Sequence, residues 1–242
     1  MSNLCVLGFE NGFHGNSLNT LSSSDPITNV NESQALDWPL APFPDLKYPL
    51  APNEHHNAAE EERSLEAVRK IIRERRDLGK DVGAIIIEPI SAYNNRVATP
   101  NFYRKLRLIA LENEIPFVVD ETRTGVGITG KMWAHEYWFL KQCPDIITFG
   151  GKSGLAGYFS TLAYAPSEEN QNVDIEKLIN FGKTWKYIQR KNILNYVNDT
   201  STFLKIELER VNREKGIASN IRGNGTFIGF DAPNQWQAVK MQ

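Results

Sequence analysis

Three apolar runs of strand length each end in residues that can carry chemistry, and this pattern constrains the fold more than any other feature. Ala84-Ile85-Ile86-Ile87 ends at Glu88-Pro89, Pro116-Phe117-Val118-Val119 at Asp120-Glu121, and Asp145-Ile146-Ile147-Thr148-Phe149 at Gly150-Gly151-Lys152. Apolar runs without polar alternation suit strands covered on both faces, the usual state of a parallel sheet. Amphipathic segments lie between them. Residues 59–78 place Leu65, Val68, Ile71 and Ile72 on one stripe, with Gly79 positioned to end a helix. Thr99-Pro100 reads as an N-cap and first-turn pair, opening a helix with Phe102, Leu106, Ile109 and Ala110 on one face. This alternation predicts βαβ units: an α/β fold with a mostly parallel sheet and helices on both faces. Ligands of such sheets sit beyond the carboxyl ends of the strands. Glu88, Asp120-Glu121 and Lys152 are therefore expected along one edge.

The remaining segments fill out the same plan. Leu4 to Phe9 reads as a short buried strand followed by a turn at Glu10-Asn11-Gly12. Residues 20–58, with Pro39, Pro42, Pro44, Pro49 and Pro52, read as one long irregular loop. A further strand is expected over 158–164, one long helix over 187–214 with Leu204, Leu208 and Val211 in register, and a new strand from Gly225 to Asp231.

Composition narrows the function. The 242 residues carry a net charge of -2, so no basic field points to nucleic acid. The basic run Arg69, Lys70, Arg73, Arg75, Arg76 is interleaved with glutamates at helical spacing and reads as a solvated helix face. Two cysteines, Cys5 and Cys143, make no disulfide framework and fit a reducing compartment. His55-His56 is a lone pair without zinc spacing, so no metal ligand set is assigned. The longest apolar stretch, Val82 to Ile87, is far too short to span a bilayer. Neither a secretory signal nor a mitochondrial presequence is visible.

Asp120 and Lys152 allow two readings. One is a structural ion pair at adjacent strand ends. The other is a lysine forming a Schiff base with an aldehyde cofactor while the aspartate keeps the cofactor ring protonated. Gly150-Gly151 would let the backbone approach such a ligand closely. A Mg²⁺ site on Asp120-Glu121 is a third, weaker reading.

Several motifs, in order along nearly the whole chain, resemble one family. They are Phe13-His14-Gly15, the run from Asp37 to Pro49, Ile87-Glu88-Pro89-Ile90, Val119-Asp120-Glu121, Gly130 to Glu136, Thr184-Trp185 and Arg222 to Phe227. Together they resemble the class III, fold-type-I, pyridoxal 5'-phosphate-dependent aminotransferases, and among these the eukaryotic 4-aminobutyrate transaminases. The resemblance implies a PLP-binding large domain over 1–215 and the start of a small C-terminal domain over 216–242, in a family member cut short at both ends. It implies amino transfer from an ω-amino acid to 2-oxoglutarate in a homodimer, without nucleic-acid or membrane partners. Phe13 would stack on the cofactor ring within a Phe13-His14-Gly15 cofactor-binding turn. Asp120 would pair with the ring nitrogen, Lys152 would form the Schiff base, and Thr184 would reach the phosphate of the partner subunit. Glu88 would stand beside the substrate amine, or, on the residues alone, be a strand-end carboxylate with a local partner. Family location is the mitochondrial matrix, with the cytoplasm as alternative.

The pattern breaks at four places. Asn16 stands where the family has a carboxylate-clamping arginine, and Tyr93 where it has a glutamate that masks a second arginine. Arg123 replaces a glutamine near the ring's phenolic oxygen. It would either perturb the cofactor or itself supply a charge for a carboxylate. Gly150-Gly151-Lys152 replaces Ser-Lys-Lys, so in ungapped register Lys152 matches the second lysine, and a one-residue slip would match it to the first. These changes leave open a catalytically lapsed homologue that keeps only the fold.

Overall fold

A computed structural model describes residues 4–26, 36–151, 154–165 and 174–232. Its main sheet contains β1 (Leu4–Phe9), β2 (Leu40–Ala41), β3 (Asp81–Ile87), β4 (Phe117–Asp120), β5 (Ile146–Phe149) and β6 (Gly157–Ser160), in the order β2-β1-β3-β4-β5-β6. All neighbouring pairs are parallel except β5 with β6. The expected mostly parallel sheet is present. Because β1, β3, β4 and β5 run in one direction, their carboxyl ends share one edge.

The helical readings hold in kind and shift in extent. α2 runs Glu54–Asp77, starting five residues before the expected 59, and Gly79 follows it with φ +67°. α3 spans Pro100–Glu112, and Phe102, Leu106, Ile109 and Ala110 are all buried. Thr99 precedes it as expected but does not cap it through its side chain. Its hydroxyl instead donates to Glu61 Oε2 (2.9 Å) and its amide to Glu61 Oε1 (2.7 Å), tying α3 to α2. The basic run of α2 is met by acids: Arg69 binds Glu62 and Glu66, and Arg75 and Lys80 bind Asp37.

Three readings are corrected. Within the expected loop of 20–58 lie the end of the short helix α1 (Leu18–Ser22), strand β2 and a 3-10 turn at Ala51–Asn53. Residues 27–35 of that loop lie outside the described residues. The expected strand over 158–164 ends at Ser160 and passes into a 3-10 turn, Leu162–Tyr164. The expected single helix over 187–214 is two, α4 (Ile175–Arg190) and α5 (Ile193–Lys215). Asn192 separates them at φ +53°, a left-handed backbone that Asn tolerates and a helix cannot continue through. A strand that sequence reading missed, β7 (Ser219–Asn224), pairs antiparallel with β8 (Phe227–Asp231) as a separate hairpin. The hairpin docks back on the main body: Arg222, buried, donates to the Asn94 carbonyl (2.5 Å), and Thr226 N donates to the Ile128 carbonyl (3.0 Å).

The core lies between the sheet and α2 and α3, and aromatic rings dominate it. Phe9, Phe43 and Phe102 meet edge to face, and Tyr103 stacks on Trp138 at 3.9 Å. At the amino ends of β4 and β5, Arg107 forks onto Asp145 (2.5 and 3.1 Å), which also accepts from Phe117 N (2.8 Å). Near the opposite edge, the fully buried Tyr103 hydroxyl donates to the Pro89 carbonyl (2.9 Å) and accepts from Ala98 N (3.3 Å). It thereby fixes the segment that directly follows Glu88. Tyr103→Phe keeps the ring but strands both backbone groups. The expected loss is about 1–3 kcal/mol in urea unfolding; an unchanged midpoint would show that the hydroxyl does not anchor this segment.

Candidate active site

Asp120 is the last residue of β4 and is buried. An isolated buried carboxylate would protonate rather than stay charged. Here donors from three segments meet it. His14 Nδ1, from the loop after β1, lies 2.7 Å from Oδ2. The Thr122 amide and the Thr148 hydroxyl donate to Oδ1, each at 3.0 Å. Thr148 is available because parallel register sets it directly beside Asp120 on β5. Burial pushes the carboxyl pKa up, but the hydrogen bond and charge of His14, with the Thr122 bonds, outweigh it and hold Asp120 below its ordinary value. The result is a fixed buried anion at the ligand-binding edge of the sheet.

The loop that delivers His14 is shaped locally. Asn11 turns at φ +63° and its amide is held by Asp25 Oδ2 (2.7 Å). The His14 amide donates to Ser24 Oγ (2.8 Å) and the Phe13 amide to Glu88 Oε2 (3.1 Å). Gly15 has φ +127°, and an added Cβ would sit 3.1 Å from Thr20 Oγ1, so a side chain there is strained. Phe13, His14 and Gly15 thus stand as one turn between the two carboxylates.

Glu88, at the end of β3, is treated oppositely. Its Oε2 takes two amides, Phe13 and Ala92 (3.0 Å), but Oε1 is buried and has no hydrogen-bond partner among the described residues. Desolvation dominates, and with the repulsion of Asp120 it outweighs His14, the Phe13 amide and Arg123, so the pKa rises to about 7. Two carboxylates at one sheet edge with pKa values driven apart are a pattern of acid–base sites. Arg123 completes this cluster, its NH1 lying 4.0 Å from Glu88 Oε1.

The structure therefore brings Phe13, His14, Gly15, Glu88, Asp120 and Arg123 together. Thr184 is elsewhere: it is exposed on α4, in an open cavity of about 770 Å³ lined also by Lys183, Lys186, Tyr187, Gln189 and Arg190. Lys152 lies outside the described residues. Asn16 is exposed and Tyr93 is 57% exposed. Glu121 turns away into its own buried network with His135 (2.9 Å) and the Thr124 hydroxyl (2.6 Å), which accounts for it structurally. Among the described residues no group of three His, Cys, Asp or Glu side chains converges to hold a metal, and no helix is long and apolar enough to cross a membrane. Sequence reading missed Thr148, whose only signal was a hydroxyl inside an apolar run, and Phe227, whose ring lies 5.2 Å from the Arg123 guanidinium carbon.

A mostly parallel sheet presenting a fixed anion and a carboxyl with a raised pKa at its carboxyl edge has the arrangement of a ligand-binding α/β protein. Residues 3–241 match the family model described as aminotransferase class-III, and the chain belongs to that family. It is 39% identical to a 4-aminobutyrate aminotransferase of Dictyostelium discoideum over 95% of this chain and 48% of that protein. It is 36% identical to the mitochondrial 4-aminobutyrate aminotransferase of Mus musculus, again over 95% and 48%. The chain thus spans about half the length of these curated relatives. Among solved structures, a lysine aminotransferase from M. tuberculosis superposes with a TM-score of 0.83 at 24% identity, over 95% of this chain and 54% of that one. That likeness shows the fold, the fold-type-I architecture expected from the motifs.

Glu88 makes a pH prediction. Its folded pKa is raised from 4.5 to about 7, so between those values the folded state holds more protons than the unfolded. The stability Glu88 contributes is complete below pH 4.5 and lost as pH rises through 7. Glu88→Gln removes this loss. The variant should gain on wild type by about 3 kcal/mol between pH 4.5 and 8, at about 1.4 kcal/mol per pKa unit. A stability difference independent of pH would contradict the assignment.

Proposed function

We propose that this chain is the cofactor-handling part of a PLP-dependent aminotransferase of the 4-aminobutyrate type, moving an amino group from an ω-amino acid to 2-oxoglutarate. The observation that supports it most is the Asp120 carboxylate, kept anionic by His14, Thr122 and Thr148 at the sheet edge. A pyridinium nitrogen needs an ionised partner of this kind, so the residues present fit the group. When bound, the cofactor supplies an aldehyde to receive the amino group and a charged ring to accept the electrons released at the substrate Cα. Asp120 would hold the ring-nitrogen proton, and His14 holds Asp120. Phe13 offers an aromatic face for stacking. Lys152 is the candidate amine for covalent attachment and for moving the Cα proton. Glu88, whose pKa is raised to about 7, would hold or release a proton beside the reacting amine. Arg123 stands in the same cluster.

The finer parts of this reading are proposals of the same kind. Thr184, in an open cavity lined by Lys183, Lys186 and Arg190, would face the cofactor phosphate of a second copy in a homodimer. Residues 1–215 would form the large domain and 216–242 the start of a small one, the β7–β8 hairpin being its first element. Location in the mitochondrion is the reading that the name of the Mus musculus relative supports; the matrix within it follows the family resemblance alone, with the cytoplasm as alternative. A second reading, a lapsed homologue, is favoured by Asn16 at an arginine position and by the exposed Tyr93.

The test is to add pyridoxal 5'-phosphate to the purified chain, reduce with borohydride and map the modified residue. Incorporation at Lys152 is expected, absent in Lys152→Ala. Asp120→Asn should bind the cofactor about 10- to 100-fold more weakly, the worth of a charged hydrogen bond. A chain that takes up no cofactor would favour the lapsed reading.

A further inference from the structure

Arg123 and Glu88 leave two buried polar atoms facing each other. Arg123 NH1 and Glu88 Oε1 are each buried and without a hydrogen-bond partner among the described residues, 4.0 Å apart. That separation is too long for a hydrogen bond, and buried polar groups are otherwise paired. The pair is not collapsed because each member is held from behind. Glu88 is fixed through Oε2 by two backbone amides, and Arg123 lies over the Phe227 ring at 5.2 Å. A guanidinium seated on an aromatic ring keeps its hydrogen-bonding edge free. NH1 itself is buried, while the Arg123 side chain as a whole is 36% exposed.

We propose that the Arg123 guanidinium, braced by Phe227 and faced by Glu88 Oε1, is a recognition site for a carboxylate group of the substrate. The planar fork of arginine matches a carboxylate with two parallel hydrogen bonds. Asp120 and Glu88 already place negative charge here, so a carboxylate group, which brings one charge to the point of contact, is repelled less than a phosphate group that brings two. Glu88 governs access. When ionised it competes with the ligand for Arg123; when protonated its Oε1 side can donate to the ligand instead. Burial, which raises the Glu88 pKa to about 7, makes both forms accessible near neutrality.

The nature of the ligand rests on the aminotransferase reading; the site does not. The experiment therefore uses the cofactor-free chain and glutarate, a dicarboxylate with no amine or keto group, followed by isothermal titration calorimetry at low salt. Glutarate should bind wild type, at least tenfold more weakly to Arg123→Gln, and more tightly to Glu88→Gln, which keeps a neutral donor in place of the competing anion. The opposite effects of the two substitutions separate ligand recognition from a structural ion pair, whose loss would weaken both variants alike. Equal binding to wild type and Arg123→Gln, or no binding to folded wild type, would overturn the proposal. Failure of cofactor attachment with this pattern intact would remove the aminotransferase reading and leave the carboxylate site standing.

Discussion

The buried Asp120 anion is the constraint around which the rest of the edge is arranged. A carboxylate nearly out of water must find donors from separate elements, and here the loop after β1, the end of β4 and the neighbouring strand β5 each supply one. This requires β1, β4 and β5 to end at the same level, which a parallel sheet provides and an antiparallel one would not. β3 lies between β1 and β4, so Glu88 ends beside Asp120 by topology alone. The same His14 loop that satisfies Asp120 gives only one amide, Phe13, to Glu88. One carboxylate is thereby held charged and the other pushed toward neutrality, from a single loop conformation.

Supporting contacts lie at both ends of the strands and converge on α3. Arg107 on that helix clamps Asp145 and the start of β4, while Tyr103, four residues earlier, clamps Pro89 and Ala98 beyond Glu88. Two residues one turn apart on a single face of α3 thus fix the near and far ends of the chemistry-bearing strands. Burial of the Phe102 and Tyr103 rings against Phe9, Phe43 and Trp138 makes this helix hard to displace. The rigidity of the edge derives from the core behind it.

Much of this was legible in the sequence because it depends on period and punctuation. Uninterrupted apolar runs ending in Glu88 and Asp120 announce parallel strands, and the i, i+4 spacing of Phe102 and Leu106 announces the face of α3. What was not legible depends on contact between distant residues. That Thr148 serves Asp120 follows from inter-strand register, which no local pattern encodes. That Thr99 binds Glu61 rather than capping α3 reflects a tertiary partner outcompeting a local one. The break at Asn192 was hidden because the apolar spacing continues across it, whereas the backbone does not. Arg123 looked like a departure from a pattern; only the orphaned atoms around it give the departure a physical meaning.

The central claim is that Asp120 is an anion imposed by its donors. A carbon-13 NMR titration of the Asp120 carboxyl tests it directly. The carboxyl should stay ionised until the pH falls below the ordinary aspartate value of 3.8. A carboxyl that takes up its proton above that value, with the chain still folded, would contradict the account.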